Sequence, residues 1–411
     1  MKKHWFWSWK GLLALAMAIA AAVGGPLLLE RQIETTVREE IQRAFEEDKG
    51  TATVSRVRYS LVDNILTLNE CVFTFPDGEV AEAAFGEIHV SGIDRISLIR
   101  SCLFREHENI PFTGTVNGAR VRMLGGNGEK LMTADSFLAD QLVISKQAVE
   151  TLERAEKDDD AFSFDTVRAL FLGEKPLVKK MELRGLSFGS GEAELKMDAL
   201  YWSNPVNNPF TFDCGVEGMR LPVTDYPELG YLGMLGYREL ALNLSLGGVV
   251  PAQDGKTPAV LRVKGRAAEM GEVQGAGEFL FEPALRLEDF FQEDIPCERI
   301  KLASLRASYT EGGILGRIVR FSRSMLGIDA AQFASKLSGT AWRLLPVSKR
   351  TPQTKAMLDK LGVFLERPGT LSVSIMPPSP LFLDELEKNY PLYLKMEVTP
   401  GEKTLEEQSR R

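Results

Sequence analysis

The spacing of hydrophobic positions divides the chain into three parts. An uncharged, largely apolar run covers residues 11–29, apolar residues recur every four positions through 30–49, and alternation with polar residues dominates 50–400. These patterns are typical of a membrane-spanning segment, an amphipathic helix and β-strands, respectively. We therefore predict an α+β protein that is mainly β, with an N-terminal transmembrane helix followed by long curved antiparallel sheets and a few amphipathic helices.

The apolar run at residues 11–29 has the length of a bilayer-spanning helix. Nineteen residues without a charge rise about 28 Å, which is close to the thickness of a hydrocarbon core. Residues 1–10 contain three lysines and three tryptophans, and such a flank favours a cytoplasmic N-terminus. We therefore predict a cytoplasmic basic flank at 1–10 and a single-pass signal anchor at 11–29.

A cleaved signal peptide is the alternative interpretation of this segment. Ala20 and Ala22 form an A-x-A sequence that would permit cleavage after Ala22. The apolar run is longer than the usual hydrophobic region of a signal peptide and continues into a helical pattern, which favours the uncleaved anchor. Under either interpretation the bulk of the chain is exported.

Helical periodicity predicts three further elements. An amphipathic helix is expected over 30–49, where it would pack on the following β structure through Ile33, Val37, Ile41 and Phe45. Two more helices are expected near 313–337 and 352–366, the second with Pro352 at its first position. The charged tail, residues 401–411, is expected to be frayed.

Period-two alternation predicts ten to thirteen strands in two β-rich regions, 50–205 and 206–400. Short connections make most of these strands antiparallel. In the first strand, strict alternation places Val54 with Arg56 and Arg58, opposite Val57, Tyr59 and Leu61.

A uniformly aliphatic strand face is the main candidate for a binding site. Leucines alternate with Ala241, Asn243 and Ser245 along one strand, and a similar face precedes residue 200. Such a face must be covered by a second sheet, by helices or by lipid, and an ordinary buried core is the simpler interpretation for any one residue. The predicted apolar groove comprises Leu240, Leu242, Leu244, Leu246, Leu195 and Met197.

Motifs that carry chemistry are few. None of the four cysteines forms C-x-x-C, and no paired histidines have metal-ligand spacing. Residues 125–130 resemble a phosphate loop superficially, but a hairpin turn fits their spacing better, and Asp289 with Glu293 is better explained as surface charge than as an acid–base pair. No catalytic residue, cofactor or metal site is predicted. The net charge of −8 and the lack of a basic, aromatic stripe argue against a nucleic-acid partner.

Three segments resemble a known family. Residues 57–61 with 66–68, and 85–93 with 96–99, are similar to AsmA-like proteins, including the YdgA-like group of bacterial envelope proteins. Residues 364–371 and 377–380 are similar to exported homologues of unknown role. The resemblance implies a periplasmic protein tied to the bacterial inner membrane, with sheets curved into an apolar groove and no catalytic residues.

Two functions are compatible with these patterns. The first is lipid handling or envelope homeostasis, with the inner membrane, phospholipid acyl chains and other envelope proteins as partners. The second is a non-catalytic structural or interaction module of the cell envelope, whose apolar sheet face is an ordinary packed core and whose exposed edge meets partners.

The predicted topology can be tested with reporter fusions after Arg411. A reporter that is active only outside the cytoplasm should be active, because the lysines of residues 1–10 hold the N-terminus in the cytoplasm. A silent exported reporter with an active cytoplasmic one would contradict export. A mature N-terminus at Val23 would contradict only the anchor.

Overall fold

The computed structural model describes residues 28–43, 46, 50–75, 80–96, 98–99, 112–144, 178–189, 194–207, 209–251, 257–282, 299–347 and 350–410. The predicted flank at 1–10 and all but the last two residues of the predicted anchor at 11–29 lie outside this set. Within the described residues, no helix combines the length and apolarity needed to cross a bilayer.

The chain forms two compact units. Unit 1 comprises residues 1–171 and 176–190, and unit 2 comprises 172–175 and 191–411. Both are mainly β, and the strand pairs described within them are antiparallel, which confirms the mainly-β α+β class. The division between the units falls at residues 190 and 191, and the expected boundary at 205 and 206 lies within the strand Leu195–Asn207.

Unit 1 is a meander in which each strand pairs with the next. Helix α1 covers residues 28–43. The strands are β1 (Thr51–Ser60), β2 (Ile65–Thr74), β3 (Val80–Ser91), β4 (Phe112–Gly125), β5 (Lys130–Ile144) and β6 (Lys180–Phe188). The turn between β4 and β5 is a hairpin in which Gly128 has φ of +79°, and it is not a phosphate loop.

Helix α1 packs on the inner face of unit 1. Ile33 is fully buried, and Val37 and Ile41 pack against the same cluster as Leu68. Phe45 lies outside the described residues. Two carboxylates fix the helix to the edge strand β1: Glu34 Oε1 accepts a hydrogen bond from the Tyr59 N–H at 3.1 Å, and Glu30 Oε1 accepts one from the Leu61 N–H at 2.8 Å. These bonds satisfy edge donors that would otherwise be open to another strand.

Strict alternation along β1 is wrong. Val54, Val57 and Tyr59 are all buried in one cluster, although the two-residue period had separated Val54 from the other two. The change of phase occurs opposite Glu70, which has φ of +48° and accepts a hydrogen bond from Ser55 Oγ at 2.8 Å.

Similar interruptions lie side by side across unit 1 and form a row. At each successive strand pair, the hydrogen-bonded ladder skips the central residues. Along this row, positive φ values occur on alternate strands, at Glu70, Arg120 and Gly185. A Cβ at Gly185 would collide with the Asp135 carboxylate, so the absence of a side chain at residue 185 leaves room for that carboxylate.

Among the described residues, unit 2 has a longer meander and six α-helices. Its strands are β7 (Leu195–Asn207), β8 (Phe210–Pro222), β9 (Glu239–Val250), β10 (Ala259–Ala267), β11 (Gly271–Phe281), β12 (Ile300–Glu311), β13 (Thr370–Ile375), β14 (Leu381–Phe382) and β15 (Leu394–Thr399). Its helices are α2 (Gly230–Met234), α3 (Ile314–Leu326), α4 (Ala330–Leu344), α5 (Pro352–Glu366), α6 (Leu383–Tyr393) and α7 (Leu405–Ser409). The two-residue β14 pairs with β12, and the described residues contain fifteen strands, above the predicted ten to thirteen.

The segment expected as one helix over 313–337 is two helices. Gly327 ends α3 with φ of +66°, and its N–H donates to the Arg323 carbonyl at 3.1 Å. Asp329 begins α4 because its Oδ1 accepts from the Gln332 N–H at 2.8 Å. The helix expected at 352–366 occupies that range as α5, capped by Thr351.

The C-terminal tail is ordered rather than frayed. Thr404 and Glu407 form a capping box that begins α7. Leu405 is 1% exposed and packs with Val319 of α3. An ion pair joins Arg323 and Glu406 at 2.5 Å. The charged composition of residues 401–411 hid this single buried leucine.

Leu405→Ala should destabilise unit 2 by about 2–4 kcal/mol, because it leaves a cavity beside Val319. Leu344→Ala is the matched control, since Leu344 is 79% exposed and its truncation should change stability by less than ~0.5 kcal/mol. Urea unfolding monitored by circular dichroism measures both. Equal effects of the two variants would contradict a packed tail.

Candidate functional site

All six predicted groove residues lie on one face of unit 2. Leu240, Leu242, Leu244 and Leu246 alternate along β9, while Leu195 and Met197 lie on β7, with β8 between them. Lys196 pairs with Arg220, so its neighbours lie alongside Leu221 and Met219 of β8. Met219 in turn pairs with Leu242, which places the β7 and β9 residues on the same side.

The two ends of the β9 leucine series differ in exposure. Leu240 is buried with Val223, Leu232 and Tyr237, and Leu242 packs at the edge of the same cluster. Leu244 and Leu246 are 45% and 42% exposed. The segment from 223 to 237 therefore covers one end of the predicted groove and leaves the other end open.

An uncharged face extends from the open leucines across unit 2. Strand register aligns three neighbouring rows of residues across the sheet, and none of the three contains a charged side chain. The outer two rows begin at Phe212 and Val216 on β8. The seven strands of each row span about 29 Å at ~4.8 Å per strand. The central row is Cys214, Leu246, Val263, Gly275, Ala307, Val373 and Met396.

Glycines let branched side chains lie flat on this face. Leu244 Cδ2 would be 3.1 Å from a Cβ at Gly265, and Val263 Cγ1 would be 2.9 Å from one at Gly275. Because each glycine lacks a Cβ, a side chain of the neighbouring strand can lie directly against its backbone. We call Leu244, Leu246, Val263 and Val273 the open apolar patch; Val263 and Val273 are 47% and 48% exposed.

Helices cover the far end of the same face. Phe364 of α5 is buried together with Tyr309, Leu371 and Val398 from β12, β13 and β15. Helix α5 also protects the edge strand β15, because Lys360 Nζ donates to the Met396 carbonyl at 2.6 Å. The apolar face is thus covered at both ends and open in the middle.

The opposite face carries a polar trough that sequence reasoning missed. The trough has a volume of about 1020 Å³ and is crossed by β8 to β13 and β15. Its lining includes Arg262, Lys264, Arg306, Ser308 and Ser374. Alternation of basic residues along β10 was visible in the sequence, but its proximity to Arg306 depends on strand register.

Reactive groups are sparse in the described part of the chain. Burial raises the pKa of the Cys71 thiol to about 11. The pKa of Cys214 is raised first by burial and then by Asp213. Both thiols are free and protonated at neutral pH, unlike a catalytic thiolate.

No metal centre is found among the described residues, where histidine, cysteine, aspartate and glutamate nowhere form a group of three able to hold an ion. His89 is engaged by Glu87 at 3.2 Å and by Thr67 Oγ1 at 3.1 Å. Asp289 and Glu293 lie outside the described residues.

The C-terminal part of the chain matches a known family model. A family model described as "Uncharacterized protein" matches residues 236–398. This segment contains β9 to β14, almost all of β15, the open apolar patch and most of the polar trough. No curated protein matches the chain.

Cys71 should resist thiol reagents in the folded protein. With a pKa of about 11, only about 0.1% of the thiol is ionised at pH 8, and burial further limits access. Peptide mapping after labelling at pH 8 should show modification only when urea is present, with the half-buried Cys214 reacting sooner. Rapid modification of native Cys71 would contradict its placement under α1.

Proposed function

We propose that this chain is a membrane-anchored protein of the bacterial envelope that binds phospholipid acyl chains on the open apolar patch. The observation that carries the proposal is the exposure of Leu244, Leu246, Val263 and Val273 in the middle of an uncharged face. A contiguous exposed apolar surface is typical of an interaction site rather than of ordinary protein surface.

The dimensions of the face are compatible with an acyl chain. One leaflet of a bilayer core is about 15 Å deep, and the open apolar patch spans the three strands β9 to β11, about 10 Å across, which is enough for most of one acyl chain. Covering each open side chain contributes roughly 1 kcal/mol. The flat packing of Leu244 over Gly265 and of Val263 over Gly275 leaves a shallow surface on which a flexible chain can lie.

The N-terminal segment supports a location at the membrane. Helix α1 begins by residue 28, directly after the predicted anchor, and it is joined to β1 through Glu30 and Glu34. Unit 1 would therefore follow the membrane without a long linker, close to a supply of phospholipid.

A structural or interaction module is the second candidate. The covered ends of the face, around Leu240 and Phe364, favour a packed core. Its proposed contact by an exposed strand edge is less well supported, because Glu34 occupies a backbone donor of β1, Glu30 occupies the donor of Leu61 directly after β1, and Lys360 occupies an acceptor of β15. The open middle of the face also has no role in such a module.

Leu244→Asp tests the acyl-chain proposal. Because Leu244 is 45% exposed, the carboxylate can remain hydrated, so the melting temperature should change little while co-purified phospholipid falls several-fold. Mass spectrometry of extracted lipid and thermal melting can be measured on one preparation. Leu344→Asp, at an exposed leucine of α4, should leave the lipid yield unchanged.

Two results would contradict the proposal. One is a folded Leu244→Asp protein that retains its lipid, and the other is wild-type protein that carries no phospholipid. Unfolding of Leu244→Asp would instead favour the packed core of the structural module, because burial of an unpaired carboxylate costs several kcal/mol.

A further inference from the structure

Cations and small residues alternate along one row of the polar trough. Arg262 on β10 pairs with Gly247 on one side and with Ala276 on the other. Ala276 pairs with Arg306, and Arg306 pairs with Ser374 of β13. The two arginines therefore stand two strands apart, about 9.6 Å at the backbone, with only a methyl group between them.

Among the described residues, neither arginine has a carboxylate partner. The nearby Lys264 lies 3.3 Å from Glu272, but no described carboxylate lies within ion-pair distance of Arg262 or Arg306. The acidic groups of this face nearest the arginines are Asp213, beyond Gly247, Glu272 and Glu278, which share a strand face with Ala276, and Glu397 of β15. The space above Ala276 is consequently the positive centre of the trough, in a chain whose net charge is −8.

We propose that the polar trough is a binding site for a phosphate group, held between Arg262 and Arg306 above Ala276. A guanidinium presents two parallel N–H donors that match the oxygens of a phosphate, and two such groups can contact one dianion from opposite sides. Hydroxyls of Ser308 and Ser374, which also line the trough, add neutral donors.

The surrounding space admits a whole ligand rather than a bare ion. A volume of about 1020 Å³ lies at the upper end of the range for small-molecule sites. The site is on the face opposite the open apolar patch, so it does not depend on the proposed acyl-chain function. Its ligand is a phosphate ester, either soluble or in a lipid headgroup.

Calorimetry on the full chain in nonionic detergent at low salt tests the proposal. The probes are inorganic phosphate, glycerol 3-phosphate and dihexanoyl phosphatidic acid. We expect saturable binding of at least one probe, with an affinity at least tenfold lower in the double variant Arg262→Gln/Arg306→Gln. The matched control, Arg56→Gln/Arg58→Gln, removes the same charge from exposed positions of β1 and should bind normally.

Two further measurements distinguish a phosphate site from general attraction of anions. Binding should weaken as the pH falls from 7.5 to 5, because a phosphate monoester loses its second charge near pH 6 while arginine does not titrate. Ala276→Glu should abolish binding by placing a carboxylate between the arginines, and circular dichroism reports whether this variant is folded.

Binding of inorganic phosphate or glycerol 3-phosphate would support a soluble ligand. Binding of phosphatidic acid alone, with loss in the arginine variant, would support a lipid headgroup. The proposal fails if no probe binds, or if the double arginine variant binds as tightly as its control. Lipid loss in Leu244→Asp would leave this result unaffected, so the two proposals fail separately.

Discussion

The structure depends on how an open β-sheet satisfies the backbone groups at its edges. An edge strand leaves donors and acceptors exposed, and these invite pairing with another chain. Here charged side chains of helices satisfy some of these groups: Glu34 accepts from Tyr59 of β1, Glu30 accepts from Leu61 directly after β1, and Lys360 donates to β15. Because each bond also fixes a helix to the sheet, the same groups determine which part of each apolar face is covered.

Incomplete cover gives unit 2 two chemically different surfaces. The segment 223–237 and helix α5 cover the ends of the apolar face, while the middle of β9 and β10 is open on both sides. Period-two alternation then places Leu246 and Val263 on one side and Arg262 on the other. A single stretch of sheet can therefore present an apolar and a cationic surface without any additional element.

Local patterns predicted the elements better than their assembly. The four-residue recurrence of Ile33, Val37 and Ile41 and the position of Pro352 predicted two helices, since both signals lie within one element. The β9 leucines were recognised as sharing a face for the same reason. The phase change at Ser55, the burial of Leu405 and the pairing of Ala276 with Arg306 were not predicted, because each depends on a contact between segments that are distant in sequence.

The row of ladder interruptions has a consequence for how such a sheet can vary in length. Along the row, positive φ values recur on β2, β4 and β6 of unit 1, and unit 2 has a similar position at Gly218 of β8, which faces Asp198. Adding one strand would break the alternation of left-handed and extended positions along the row, whereas adding two strands would preserve the alternation. Within the part of the sheet that carries this row, a whole hairpin is therefore the unit that can be added or lost without disturbing the row.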